Sequence, residues 1–359
     1  MISDVLSIIL AQPDKMLAMT NFEWEALLGQ ARKCRLLGRL ALHCVDQGWM
    51  PRVPSQPRNH FEGALKLIDR QHHEVEWEVN CIRHALRNVP TPIVMLKGAA
   101  YFLAKLPPGR GRLFSDIDIM VEHKYLVDVE SALFRAGWIS EDRDIYNQHY
   151  YRKWMHELPP MRHVQRGTMI DVHHTITPPT SRFKVDGARL LESIEAAGDN
   201  KGVFILSPAD MVLHSAVHLF QEGDFSHGLR DLLDIRDLLQ HFGEDVTFWE
   251  TLFIRARTLD LEEPLFHVFN HIRRRFENNI SSNLYAKIEC NKSHWFFRDS
   301  FSFVFDQALK PIHPSCNKLS NDIARWFLYV RSHYLRMPSY LIIPHLLRKF
   351  VRQKFPSRT

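Results

Sequence analysis

The chain has 359 residues, with 45% apolar and 24% charged side chains, proportions of an ordinary soluble protein long enough for two or three domains. Lys and Arg total 46 against 41 Asp and Glu, a net charge of +5 that does not single out a nucleic-acid binder. The cysteines, with no C-x-x-C spacing, read as reduced buried thiols. No apolar run approaches the ~20 residues of a spanning helix. Asp4 stands where a signal peptide would be basic, so a cytoplasmic location is expected.

Residues 1–90 read as a helical region. One helix begins at Asn21–Trp24, and its apolar stripe runs on through Leu28, Ala31, Leu36, Leu40 and Ala41. Gly48 and Pro51, Pro54 and Pro57 break the chain. A second long helix spans about His60 to Asn88, with His72 and His73 expected on its solvated face, and closes before Pro90 and Pro92.

Residues 91–200 read as the core, a small mixed sheet with packed helices, hence an α+β class. Ile93–Leu96 suits a short buried strand. Lys97, Gly98, Ala99 and Ala100 then form a small-residue turn into a helix, of the kind that lets a phosphate approach backbone N–H groups. Ser115–Val121 alternates as a strand, placing Asp116 and Asp118 on one face and Ile117 and Ile119 on the other. A helix over Lys124–Arg135 stops at Gly137, and Trp138–Ile139 resumes as strand. Tyr146–Trp154, rich in aromatics, reads as a further strand. Met161–Val164 is expected to pair with Thr168–Ile176 across the Gln165–Gly167 turn, with His173 on the face of Asp171 and His174 opposite.

Residues 201–359 read as helical again. Ser207–Asp210 is a helix start with proline at its first position. His214 and His218 have a metal-binding spacing but lack a third ligand. His218 and Asp234 are expected either to link two helices or to wall a pocket. Arg273, Arg274 and Arg275 read as a solvated face. The apolar runs Trp326–Val330 and Tyr340–Ile343 lead into a basic tail, His345–Arg358, which is expected to pack on the domain. Peripheral contact with an anionic membrane surface is the less favoured alternative.

The chemistry gathers on the acids. Two carboxylates two residues apart on one strand face repel unless something neutralises them, and a divalent cation does so; oxygen donors select magnesium or manganese. A solvated strand end with two harmless acids is the plain alternative. Asp171, in a second apolar strand, tips the balance, because three acids beside a phosphate-cradling turn are the parts of a two-metal phosphoryl-transfer site.

The order of glycine turn, Asp-x-Asp, and lone Asp on a later strand resembles the DNA polymerase beta superfamily of nucleotidyltransferases. The details are similar to a bacterial family of uncharacterised nucleotidyltransferases. Leu96–Gly98, Arg112 with Ser115–Asp118, and Ile170–His173 carry the resemblance, with a weaker match in Pro208–His218 and Leu229–Ile235. It implies transfer of a nucleoside monophosphate from a nucleoside triphosphate to a hydroxyl acceptor (sugar, metabolite, peptide or protein) with release of pyrophosphate.

Under it, Asp116, Asp118 and Asp171 are the catalytic, metal-holding acids. Lys97, Gly98, Ala99, Arg112, Ser115 and His173 contact the nucleotide, and Arg110 joins Lys97 and Arg112 as a candidate to neutralise pyrophosphate. Gly98–Ala99 departs from the superfamily's Gly-Ser or Gly-Gly. A non-catalytic nucleotide-binding or antitoxin-like interaction protein retaining the fold is the rival reading. Transfer to tRNA ends is disfavoured by the modest charge, so nucleic acid is not an expected partner. Neutralising Asp118 is expected to relieve repulsion and leave the fold intact.

Overall fold

The computed structural model describes residues 4–141, 144–198, 202–276 and 295–337. Four helices precede the sheet: α1 (Val5–Ala11), α2 (Asn21–Lys33), α3 (Leu37–Asp46) and α4 (Ser55–Leu86). Thr20 caps α2 reciprocally with Glu23, whose carboxylate accepts the Thr20 N–H at 2.8 Å. Such a box contributes about 1 kcal/mol. The single helix expected from Asn21 through Ala41 is divided. Arg35 takes a left-handed φ of 54°, and the Leu36 N–H bonds back to the Ala31 carbonyl at 2.8 Å. This is the geometry of a helix stop without its usual glycine, so no residue type announced the break. α4 starts earlier than expected because Pro57 lies in its first turn, where its missing N–H has no intrahelical partner to lose.

The core elements follow as β1 (Val94–Met95), α5 (Lys97–Leu103), β2 (Ile117–Met120), α6 (Leu126–Arg135), β3 (Trp138–Ser140), α7 (Ile145–Trp154), β4 (Met161–His163), β5 (Met169–His173), α8 (Gly187–Leu191), β6 (Glu195–Ala196) and β7 (Phe204–Ile205). The strands form one mixed sheet in the order β3-β4-β5-β2-β1-β7-β6. Its centre sets β5 parallel to β2 and β2 antiparallel to β1. The β4–β5 hairpin forms as the turn signal predicted, with Met161 opposite Ile170. Tyr146–Trp154 is helix rather than strand. The Asp144 carboxylate caps it by accepting the Asn147 N–H at 2.9 Å, and Tyr146 and Tyr150 stack at the i, i+4 spacing of a helix face. Aromatic content had mimicked strand propensity there.

Six helices complete the described chain: α9 (Pro208–Gln221), α10 (Gly228–Phe242), α11 (Val246–Thr258), α12 (Glu262–Arg275), α13 (Trp295–Ala308) and α14 (Leu319–Arg336). α9 is apolar nearly all round and is sheathed by α10, α11 and α12. Arg273 and Arg274 are exposed, but Arg275 turns inward and donates to the Asp306 carbonyl at 2.5 Å. Two polar clasps bind distant segments. Buried Glu78 on α4 takes Arg166 bidentately at 2.8 and 2.9 Å, fixing the β4–β5 turn. Gln30 on α2 accepts from the Leu6 N–H and donates to Ser315, both at 2.8 Å.

Cys34, Cys44, Cys81 and Cys316 are free thiols, and burial pushes Cys34 up to about 12. No described helix is long and apolar enough to cross a membrane. Cys290, the run 340–343 and the basic tail 345–358 lie outside the described residues.

Candidate functional site

Leu96 is extended and Lys97 takes a left-handed φ of 48°, so the chain turns abruptly from β1 into α5. The turn aims the Lys97 ammonium back at β2, 3.1 Å from Asp118 Oδ1. Gly98 is required by crowding: a Cβ there would lie 2.7 Å from Arg112 Nε and 3.2 Å from the Phe114 ring. Ala99 is buried behind it.

The β2–β5 register sets Asp118 directly beside Asp171. Asp116 precedes β2 on the same line and is exposed, and its carboxylate accepts the Ser115 hydroxyl at 2.9 Å. Asp118 is buried, which opposes its charge, but Lys97 and a hydrogen bond from His173 outweigh burial and hold it well below the usual carboxylate range. Asp171 has no such help. Its Oδ1 is buried without a hydrogen-bond partner, and burial, followed by the charges of Asp118 and Glu157, raises it to about 7.

A cavity of about 300 Å³ opens over Lys97, Gly98, Asp116 and Asp118, with Arg112 and Ser115 on its rim. Its far wall comes from α9 and α10: His218 pairs with Glu222 at 2.9 Å, and Arg230 with Asp231 at 2.6 Å. His218 thus walls the pocket, its ion pair going to Glu222 rather than Asp234, while His214 is buried and, among the described residues, joins no cluster of three metal-ligating side chains. Arg112 is held by Asp234, with Asp231 at 4.0 Å. Arg35, from the break between α2 and α3, reaches the same cavity. Arg110 does not join this cavity; it forms an exposed bidentate pair with Asp46, at 3.0 Å for each bond.

His173 is clamped between carboxylates, its Nε2 3.1 Å from Asp118 Oδ1 and its Nδ1 3.4 Å from Glu157 Oε2. Burial disfavours its charge, but Asp118 and Glu157 raise it above the ordinary imidazole value. His174 faces away and stacks edge-on with His123. Glu157 escaped sequence reasoning because it sits in a short segment between two prolines and a helix end. Its antiparallel bridge to His173 is a long-range pairing with no local signature. Glu222 and Asp231 escaped for the same reason, since α9 and α10 reach the sheet only in the folded chain.

A lysine–glycine turn over aspartates on adjacent parallel strands, in a mixed sheet wrapped by helices, defines a nucleotidyltransferase core. Residues 20–277 match the family described as uncharacterised nucleotidyltransferase, and the chain belongs to that family. Its general chemistry is the transfer of a nucleoside monophosphate. A search among curated proteins finds no match.

Proposed function

We propose that the protein transfers a nucleoside monophosphate from a nucleoside triphosphate to a hydroxyl acceptor, with divalent metal held by Asp116, Asp118 and Asp171. The observation that carries this reading is the surplus of acid at the β2–β5 register: Asp118 beside Asp171, whose buried Oδ1 has no partner. An orphaned carboxylate oxygen among three acids fits a hard cation such as magnesium or manganese. When bound, such ions neutralise the phosphates and activate the attacking oxygen.

The chain's own residues supply the rest. Gly98 lets Arg112 pack close against the turn, and Arg112, held by Asp234, would offer its guanidinium to the phosphates from the cavity wall. Lys97 keeps Asp118 ionised and would help neutralise the departing pyrophosphate. Asp171, beside Asp118 across the strand pair, would take the acceptor hydroxyl's proton. His173 orients Asp118 rather than touching the nucleotide. The test is pyrophosphate release from each of four NTPs with magnesium and a pool of hydroxyl acceptors. Release that needs magnesium and vanishes in Asp118→Ala supports the reading. No release with any NTP, alongside metal-independent nucleotide binding, sinks it in favour of a non-catalytic binder.

A further inference from the structure

The segment at residues 156–158 runs antiparallel to the end of β5. The Leu158 N–H donates to the Val172 carbonyl at 2.8 Å, and the His174 N–H to the His156 carbonyl at 2.9 Å. This pairing sets Glu157 opposite His173 and brings one nitrogen each of His156 and His173 and one Glu157 oxygen within 4.8 Å of one another. We propose that His156, Glu157 and His173 form a binding site for a divalent transition metal ion, zinc by its donor set, separate from the three aspartates.

The hydrogen-bond accounting carries this. Nδ1 of both histidines is buried with no hydrogen-bond partner, on residues only 5% and 2% exposed. A buried polar atom left without a partner is costly. His173 presents Nε2 to Asp118 at 3.1 Å, which places its proton there and turns the Nδ1 lone pair toward Glu157 at 3.4 Å. A lone pair facing a carboxylate repels unless a cation lies between them. A second proton on His173 satisfies that pair but leaves His156, whose ring centre is 5.3 Å away, without a partner. A metal ion satisfies all three residues together.

Two imidazoles and a carboxylate are a zinc set with one position open, and an imidazole whose other nitrogen donates to a carboxylate is the usual outer shell of such a ligand. Bonds of about 2.0–2.1 Å bring tetrahedral ligand atoms to about 3.4 Å apart, a contraction that side-chain rotation supplies. The Glu157 side chain, 17% exposed, opens the way in. The bound ion ties β5 to the 156–158 segment and, through His173, fixes Asp118. The inference rests on this geometry and not on the transferase reading.

The full-length protein, produced with zinc and purified without chelator, is dialysed against magnesium buffer and its metal content measured. About one zinc per chain is expected. Competition with a chromophoric chelator should show Glu157→Gln and His156→Ala binding at least about tenfold more weakly, and Asp171→Asn binding unchanged. Cobalt(II) should give tetrahedral visible bands in the wild type and lose them in Glu157→Gln. The near-isosteric Glu157→Gln carries the test if His156→Ala fails to fold. A wild type that retains no zinc, or a folded Glu157→Gln that holds it as tightly, overturns the site. Zinc retained by a chain inactive toward every NTP supports the site while defeating the transferase reading.

Discussion

Two charge clusters of this molecule use the same residue types and settle into opposite states. On α10, Asp231, Asp234 and Asp237 meet Arg230, Arg39, Arg112 and Arg236, with Arg39 to Asp234 at 3.2 Å and Arg236 to Asp237 at 3.0 Å. Burial opposes the charge of Asp231, yet Arg230 and Arg112 outweigh it and hold that carboxyl below its ordinary value. At the β2–β5 register, the direct ion pairs of Asp118 and Glu157 among the described residues go to Lys97 and His173, and Asp171 is raised to about 7. The α10 cluster is saturated by fixed cations and acts as a joint between the N-terminal helices and α10. The strand cluster is short of positive charge, and the proposed metal binding rests on that shortage.

The comparison breaks most sharply on activity. Asp118→Ala should lower pyrophosphate release by at least about a thousandfold, because it removes an acid placed for both metal and geometry. Contrary to the expectation from like-charge repulsion, it should also destabilise the fold. Asp118 is the partner of half-buried Lys97, and stranding that charge costs about 1–3 kcal/mol. Near wild-type turnover in this variant would remove Asp118 from the catalytic set. On the saturated side, Asp234→Ala should cost about 1–3 kcal/mol, read as a fall in Tm, because Arg39 keeps Asp237 and Arg112 keeps Asp231 when their shared acid is lost. An unchanged Tm would mean the α10 cluster is no joint.

The strand cluster should also be visible in pH. Asp171 has a folded value of about 7 against an ordinary 3.8, so between these the folded state holds a proton the unfolded state has lost. Asp171's own contribution to stability in EDTA is therefore fully present below the lower value and is lost as pH rises through the window, by on the order of 2–4 kcal/mol. Asp171→Asn should flatten that fall and raise the Tm at pH 8 in EDTA. A Tm difference between wild type and Asp171→Asn that stays constant from pH 5 to pH 8 would contradict it. Magnesium-bound nucleotide should raise Tm strongly, and nucleotide in EDTA little, since ligand stabilises through its occupancy of the folded state. The smallest effect belongs to Arg110→Ala, at most about 1 kcal/mol, because its pair with Asp46 is solvent-exposed.

What the sequence determined by itself was local and periodic. Alternation placed Asp118 in β2 and Asp171 in β5, the turn signal placed the β4–β5 hairpin, and the Lys97–Gly98 turn followed from small residues after an apolar run. The α+β class was legible for the same reason, since apolar periods of two and of 3.6 are written along the chain. Tertiary structure alone decided which charges meet. Arg112 could be singled out as a candidate from the sequence, but its capture by Asp234, across 122 positions of sequence, could not. Arg35 broke a helix that periodicity ran straight through, and Asp144 made a helix of a stretch whose aromatics suggested strand. Glu157 became a neighbour of His173 only when its segment docked against β5. Backbone geometry is set by nearest neighbours, but the state of a buried charge is set by whatever the fold brings within a few ångströms of it.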